Sequence, residues 1–334
     1  MTESKITSLK KPKRKTTFTL SRRNSQWDPP TLLDALLTSP LLTLLTYLHT
    51  LIQHFRSPPF TPSHPPIRLT CISDTHTNTI SVEPGDVLIH AGDLTNQGTV
   101  AEIQAQIDWL ASLPHKAKIV IAGNHDSYLD VRSRRAEDAG KKLDWKGIRY
   151  LENESLTVEF KAQGRKLEFW GGPEIPACGG KDFAFQYPRT SSPSQWESRI
   201  PPTTDILITH TPPLHHLDLS LGCASLLARL WTIRPKVHIF GHVHSGHGRE
   251  VLYWDEAQAA MERLKGRGKV GLWGDLTDVR AWVDAVRVLV YGVRGVVWER
   301  VMQGGRGRGT LAVNAAVVYQ STTDVGRGAQ VVDV

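Results

Sequence analysis

Residues 118–126 read Lys-Ile-Val-Ile-Ala-Gly-Asn-His-Asp, and the rest of the chain is organised around this stretch. Its apolar run is too short for a helix and rich in β-branched residues, which predicts a buried β-strand. Asn124 and His125 follow that strand; Asn124 offers an oxygen to a metal ion, and His125 a ring that titrates near neutral pH. Gly123 lets the backbone turn and approach a bound group closely. We therefore predict functional side chains at the end of this strand.

The same pattern, a short apolar run that ends in metal-ligating side chains, occurs four more times. In α/β proteins, binding sites gather outside the carboxyl ends of the sheet strands. Five such strand ends with complementary ligand types therefore predict one shared metal site. The four segments are residues 67–76, ending in Asp74 and His76; residues 86–93, ending in Asp93; residues 205–210, ending in His210; and residues 237–244, ending in His242 and His244.

The pattern along the chain predicts four parts. Residues 1–25 form a basic disordered arm, and residues 26–66 a Leu-rich helix followed by a Pro-rich linker. Residues 67–320 form the catalytic domain, in which crossover helices connect the strands. A helical insertion at about 252–309 interrupts this domain, either covering the site or only padding one face. Residues 321–334 form a C-terminal tail that is loosely structured at most.

The net charge of +7 is concentrated in the arm. Residues 1–25 carry eight basic residues and one acidic residue, so the remaining 309 residues are formally neutral. The catalytic domain therefore has no overall attraction for nucleic acid, and any such binding belongs to the arm. The arm itself is a solvated tail, a nuclear-localisation segment or a segment that binds anionic membranes.

Residues 31–52 are long enough to span a bilayer, but Asp34, Pro40 and His49 interrupt them. After Pro40 the leucines keep helical spacing, which favours a helix packed on the domain or on a membrane surface over a true span. The three cysteines are isolated, which suits a reducing compartment, and no secretory signal is recognisable. We expect a cytoplasmic protein that is free or membrane-associated through residues 1–55; the oligomeric state is left open.

The ordered motifs Asp74-x-His76, Gly92-Asp93, Gly123-Asn124-His125-Asp126, His210 and Gly241-His242-x-His244 resemble the calcineurin-like metallophosphoesterase superfamily. Within it, the chain is similar to the small metallophosphoesterase-domain-containing proteins of animal brain and fungi. The resemblance implies an α/β fold, a four-layer α/β/β/α sandwich of two mixed sheets.

The resemblance also implies two metal ions. One takes Asp74, His76, Asp93 and His244, and the other takes Asp93, Asn124, His210 and His242, so that Asp93 bridges them. Imidazole, carboxylate and amide ligands suit Mn, Fe, Zn or Ni better than Ca or Mg, and Mn is expected to support activity in vitro.

The implied function is hydrolysis of phosphodiester bonds, cyclic nucleotides among them, by a metal-bridging hydroxide, with His125 as the catalytic acid. The chain departs from the protein phosphatases of the superfamily because Asn96 replaces a carboxylate that would orient His125, and because their phosphate-binding arginine is absent. The substrate is therefore expected to be a small phosphodiester. The alternatives are a nuclease assisted by the basic arm and a non-catalytic scaffold that binds metal or nucleotide.

Three further histidines have two interpretations each. His90 is either a hydrogen-bonded core residue or a support for the site residues. His215 and His216 follow a Pro-Pro turn and either contact substrate or lie in a solvated loop.

Overall fold

The computed structural model describes residues 22–23, 25, 28–180, 182–189, 196–302, 304, 309–319 and 324–334. Most of the predicted basic arm lies outside them. The helices are α1 (Leu32–Thr38), α2 (Pro40–His54), α3 (Val100–Ser112), α4 (Ala224–Ile233), α5 (Glu256–Gly266), α6 (Gly271–Thr277) and α7 (Val279–Arg300).

In the described residues the strands form two large mixed sheets and one small one. In chain order they are β1 (Arg68–Ile72), β2 (Val87–Ala91), β3 (Ala117–Ile121), β4 (Arg149–Tyr150), β5 (Glu154–Phe160), β6 (Arg165–Gly172), β7 (Ile175–Pro176), β8 (Gln186–Tyr187), β9 (Ile206–Thr209), β10 (Val237–Phe240), β11 (Gly248–Tyr253), β12 (Gly309–Asn314) and β13 (Gln330–Asp333).

The first sheet has the order β13-β1-β2-β3-β4 and the second the order β11-β12-β10-β9-β6-β5. Strands β1 to β4 run parallel, as do β6, β9, β10 and β12. The antiparallel strands β5, β11 and β13 lie at sheet edges. Both sheets are therefore mixed, as predicted.

The core is divided into layers. Leu69 and Ile119 of the first sheet pack against Ile208 and Ile239 of the second, so the two sheets lie face to face. Helix α3 covers the outer face of the first sheet, and α4 covers the outer face of the second. This arrangement confirms the predicted four-layer α/β/β/α sandwich.

The described part of the insertion contains three helices, and the insertion connects the antiparallel strands β11 and β12. It does not stand alone, because α2 packs on it: Leu41 and Leu45 are buried against Met261, Leu264 and Val288. Helices α1, α2, α5, α6 and α7 are called the helical unit below.

Polar contacts fasten both ends of α2 to the insertion. At its start, the Ser39 hydroxyl donates a hydrogen bond of 2.8 Å to Asp275. At its end, the Arg56 guanidinium pairs with Asp255 and Glu299. Because both ends are tied, the helix predicted from the leucines packs along the insertion.

The predicted Leu-rich helix is two helices, because Ser39 and Pro40 interrupt it. The Ser39 hydroxyl caps α2 by accepting a hydrogen bond from Leu42 N at 3.0 Å, and Pro40 occupies the first helical position. None of the described helices combines the length and the apolarity that crossing a bilayer would need.

The predicted C-terminal tail contains a strand. Strand β13 pairs antiparallel with β1, with Val332 opposite Leu69. Val332 and Val334 are buried in the core between the sheets. The expectation that residues 321–334 are loosely structured at most is therefore wrong for residues 330–333, since apolar burial and the hydrogen bonds to β1 hold them.

Candidate metal centre

The predicted site residues follow the carboxyl ends of five strands. Asp74 and His76 follow β1, Asp93 follows β2, and Asn124 and His125 follow β3. From the second sheet, His210 follows β9, and His242 and His244 follow β10. Because β1, β2 and β3 are parallel neighbours and β9 and β10 are parallel neighbours, each sheet presents its polar ends at one edge.

One group of ligand atoms comes from Asp74, His76 and His244. The His244 Nε2 atom lies 3.2 Å from Asp74 Oδ1 and 3.4 Å from His76 Nε2. One ligand atom from each of the three residues lies within 4.8 Å of the others. The structure thus brings together the set predicted for one metal ion, apart from Asp93.

A second group comes from Asp93, His210 and His242, whose ligand atoms also lie within 4.8 Å of one another. The His210 Nε2 atom is 3.3 Å from Asp93 Oδ2 and 3.1 Å from Asn124 Oδ1. The His76 Nε2 atom, from the first group, is 3.8 Å from Asp93 Oδ2. The Asp93 carboxylate therefore lies between the two groups, at the position predicted for a bridging ligand.

Several of these residues have an uncommon backbone conformation. Asp74, His76, Asp93 and His242 all have positive φ angles, between 46° and 65°. A residue other than glycine reaches this region at a cost of about 1–3 kcal/mol, and such residues cluster at functional sites. The surrounding fold must stabilise these conformations.

Two glycines make room for the carboxylates. A Cβ atom on Gly241 would overlap Asp74 Oδ2 and Ser73 Oγ, and one on Gly123 would overlap Asp93 Oδ1. Any larger residue at these positions would displace a carboxylate of the site.

Hydrogen bonds orient candidate metal ligands from both sheets. The backbone N–H of His242 donates to the Asp74 carboxylate at 3.0 Å. The Nδ1–H of His210 donates to Ala91 O at 2.8 Å, which leaves Nε2 facing Asp93 and Asn124. In metal sites, a histidine is commonly oriented in this way by a hydrogen bond to its other ring nitrogen.

Electrostatics in the site couple the carboxylates to the imidazoles. Burial opposes ionisation of Asp74, but His244 and His210 lower its pKa to about 2. Likewise, burial opposes charging of His210, but Asp93 raises its pKa to about 9. Burial, aided by His210, lowers the pKa of His242 to about 3. Since metal ligands must be deprotonated, protons and cations compete for the same atoms here.

His125 is held by a backbone carbonyl. Its Nδ1–H donates to Asn96 O at 3.0 Å, and its backbone N–H donates to Asp93 Oδ1 at 2.8 Å. One ligand atom of His125 lies within 4.8 Å of those of His76 and Asp93. The Phe183 ring packs on His125 with a centroid distance of 5.0 Å. The sequence identified Asn96 only as a missing carboxylate, whereas its main chain orients the ring.

Asp126 joins two loops of the site. It accepts hydrogen bonds from Gly123 N at 2.8 Å, Thr95 N at 3.0 Å and Leu94 N at 3.2 Å. Burial and the nearby Asp93 raise the pKa of Asp126 to about 6. This residue thus ties the loop that carries Asp93 to the loop that carries Asn124 and His125.

Sequence analysis missed other residues near the site. The Arg327 guanidinium donates to the backbone carbonyl of His244, from the segment that was expected to be a tail. His90, for which the sequence left two interpretations, is a buried, hydrogen-bonded core histidine: its Nε2 is 2.9 Å from Thr75 Oγ1, and Gly92 N–H donates to its Nδ1 at 3.2 Å.

His216 is wholly buried, so the expectation of a solvated or substrate-contacting residue is wrong. Its Nε2 is 3.1 Å from Glu262 Oε1, and its Nδ1 lies 3.2 Å from Glu250 Oε1 without the alignment of a hydrogen bond. The His216 ring lies between Glu250 of β11 and Glu262 of α5.

The donor set fits metal ions. Two buried carboxylates and four imidazoles converge, and the Nε2 atoms of His76 and His244 face each other at 3.4 Å. Two imidazole lone pairs at that distance repel each other unless a proton or a cation lies between them. The fold and this donor set define an α/β protein with a candidate two-metal site of nitrogen and oxygen ligands.

The sequence of residues 67–246 matches the family model for calcineurin-like phosphoesterases. The match covers more than half of the chain, so the chain belongs to the calcineurin-like phosphoesterase family. The predicted superfamily resemblance is confirmed.

Among individual relatives, the chain is 37% identical over 212 residues to a UPF0046 protein of Caenorhabditis elegans, covering 59% of this chain and 70% of that protein. It is 35% identical over 210 residues to metallophosphoesterase domain-containing protein 1 of Homo sapiens, covering 54% of this chain and 61% of that protein.

A third relative, probable rhamnogalacturonate lyase C of Emericella nidulans, is 42% identical over 257 residues. The match covers 75% of this chain but only 23% of that protein. A crystal structure from Thermus thermophilus shares 16% identity at a TM-score of 0.38, covering 56% of this chain and 84% of that one. A TM-score at this level carries no conclusion, so the family assignment depends on the sequence matches.

Proposed function

We propose that this chain is a metal-dependent phosphoesterase that hydrolyses small phosphodiesters, cyclic nucleotides among them. The observation that carries the proposal is the position of the Asp93 carboxylate between two groups of ligand atoms, with His125 beside it. In this proposal Asp74, His76 and His244 hold one metal ion. Asn124, His210 and His242 hold the second, and Asp93 contacts both.

Bound divalent ions would neutralise phosphate charge and lower the pKa of a bound water. The chain's own contribution is to bury and orient the ligands. Asp74 and Asp93 are almost wholly buried, which removes competing water from the carboxylates. The hydrogen bonds from His242 N–H and His125 N–H then hold those carboxylates in place.

His125 is suited to proton transfer through one nitrogen. A backbone carbonyl only accepts hydrogen bonds, so the contact with Asn96 O keeps the proton on Nδ1. When the ring is doubly protonated, its Nε2–H is the group that would give a proton to the departing oxygen of the substrate, which leaves the neutral ring with its remaining proton on Nδ1. Because Asn96 O is uncharged, it stabilises the protonated ring less than a carboxylate would.

The charges available in one loop of the site favour a diester over a monoester as the substrate. A phosphate monoester carries about two negative charges at neutral pH, and a diester carries one. The loop from Gly92 to Gly98 offers Leu, Thr, Asn and Gln, and has no arginine to match the second charge.

The test separates metal binding from proton transfer. Asp93→Asn removes the charge that favours bridging, so it should lower bound metal and activity together. His125→Ala should leave the bound metal unchanged and reduce kcat on a phosphodiester by roughly 10²–10⁴, towards the lower end because its partner is neutral. His54→Ala, at an exposed histidine on α2, is the matched control and should change neither quantity.

The measurements are metal content by elemental analysis and turnover of aryl phosphodiesters with added Mn²⁺. Esters with good leaving groups need little protonation, so His125→Ala should slow them least. Loss of metal in His125→Ala would contradict the assigned role. Full kcat on a poor leaving group would show that His125 transfers no proton. No turnover by the unsubstituted chain of any diester, cyclic nucleotides included, would overturn the proposed function.

A further inference from the structure

The exposed apolar side chains of the protein are concentrated on one part of it. Of 23 exposed large apolar residues in the described chain, 21 lie in or beside α1, α2, α6 and α7. The two others, Val131 and Tyr319, are isolated. Soluble monomers rarely expose a large contiguous apolar patch unless it binds something, so this surface of the helical unit requires an occupant.

Helix α7 has two apolar faces. One is buried against α2 and α5 and includes Ala281, Ala285 and Val288. The opposite face carries six valines with alternating spacings of four and three residues, which places them on one stripe. Their side chains are between 45% and 74% exposed. This valine face consists of Val279, Val283, Val286, Val290, Val293 and Val297.

Helix propensity does not explain the valine face. Valine is a poorer helix former than Ala, Leu, Lys or Glu, the residues that suit an exposed helix surface. Tryptophans flank the stripe, with Trp282 and Trp298 each about half exposed, and α6 adds Trp273. Tryptophan is enriched where an apolar interior meets water, as at a membrane surface.

The charges beside the valine face have one sign. Arg280, Arg287 and Arg294 are exposed and each follows a valine of the stripe, so they line one edge. Both carboxylates of α7 point inward. Asp284 pairs with Arg263 at 2.8 Å and also with Arg287 of that edge at 3.1 Å, and Glu299 accepts from Ser57 N at 2.9 Å.

This charge pattern decides between occupants. Two copies joined through their valine faces would place arginines along the seam, with no exposed carboxylate of α7 to pair with them. An anionic bilayer instead offers an apolar interior for the valines and negative headgroups for the arginines. The basic sequence of residues 1–25, which precedes α1, adds attraction of the same sign.

We propose that the helical unit binds anionic membranes, with the valine face of α7 lying in the plane of the bilayer surface. The expected membrane contact of residues 1–55 is thereby extended to the insertion. This inference does not depend on the proposed phosphoesterase activity.

The experiment is flotation of the full chain with vesicles of phosphatidylcholine alone or mixed with phosphatidylserine. Val290→Glu combined with Val297→Glu should lower the partition coefficient roughly tenfold per position, since each valine loses its burial in lipid. Val131→Glu, the same change at a valine that is 78% exposed outside the helical unit, is the control and should bind as the unsubstituted chain does.

A second variant tests the charges. Arg280→Gln combined with Arg294→Gln should weaken binding to the phosphatidylserine mixture roughly fivefold per arginine and leave binding to phosphatidylcholine unchanged. Circular dichroism and the melting temperature should match those of the unsubstituted chain, because all four substituted positions are exposed.

Three results would overturn the proposal. The first is no flotation of the unsubstituted chain. The second is equal flotation of the valine variant, which would assign binding to the basic arm alone. The third is a lipid-free dimer in analytical ultracentrifugation that the two glutamates dissociate, which would make a second copy the occupant.

Discussion

Gly241 should be irreplaceable because Asp74 occupies the space where a side chain would begin. In Gly241→Ala, the new Cβ would overlap Asp74 Oδ2 and Ser73 Oγ and lie 2.7 Å from Ser73 Cβ. Overpacking of this kind costs about 1–3 kcal/mol, and loss of the hydrogen bonds from His242 N–H to Asp74 costs about 1–3 kcal/mol more. The expected loss in free energy of unfolding is therefore about 2–6 kcal/mol.

The assay is urea denaturation of metal-free protein, together with elemental analysis after metal is restored. Gly328→Ala is the matched control, because no atom lies within 4 Å of its added Cβ and its φ angle is not positive. It should be neutral or slightly stabilising. Gly241→Ala should also lower metal content, because Asp74 belongs to one ligand group. Equal denaturation midpoints and equal metal content in the two variants would refute the reasoning.

Two further predictions concern residues outside the metal centre. Leu45→Ala should lower the free energy of unfolding by about 2–5 kcal/mol, because Leu45 is buried between α2 and the insertion. The control is Leu44→Ala at an exposed position, which should lower it by less than about 0.5 kcal/mol. Urea denaturation compares the two variants, and equal losses would contradict the packing of α2. Burial opposes charging of His216, but Glu250 and Glu262 raise its pKa above 6.5. The protonated ring therefore stabilises the fold at low pH, and this stabilisation is lost as the pH rises through the folded-state pKa. The melting-temperature difference between the unsubstituted chain and His216→Gln should therefore shrink as the pH is raised above 6.5. A difference that does not depend on pH would show that His216 is uncharged. The pKa of His210 is also raised, but His210 is present in both proteins, so its titration cancels in the comparison.

The amino-acid sequence by itself predicted buried strands that end in candidate metal ligands, and its resemblance to a known family implied the four-layer fold. Short apolar runs can bury themselves only as strands of a covered sheet, and the polar residues after them must then gather at the sheet edges. Asp74, Asp93 and His210 could be identified in this way because ligand type and strand position are both visible in the letters. Helices α5 and α7 of the insertion were visible in the sequence for the same reason, whereas α6 was not predicted.

Contacts made by the main chain could not be predicted. Every residue has a backbone carbonyl, so nothing in the sequence marks Asn96 O as the group that orients His125. The strand β13 was also missed, because its few apolar residues become significant only beside the free edge of β1. His216 is buried with a raised pKa only because Glu250 and Glu262, distant in sequence, lie beside it.

Only the tertiary structure decided which face of α7 is exposed. The periodicity of residues 279–300 predicts a helix with valines on one side and alanines on another, and either side could have formed the core. Packing of α2 and α5 buries Ala281 and Ala285, whose small side chains allow close approach of the helices. The larger valines are left outside, and a segment that was expected either to cover the site or to pad one face thereby has an apolar surface with a proposed partner.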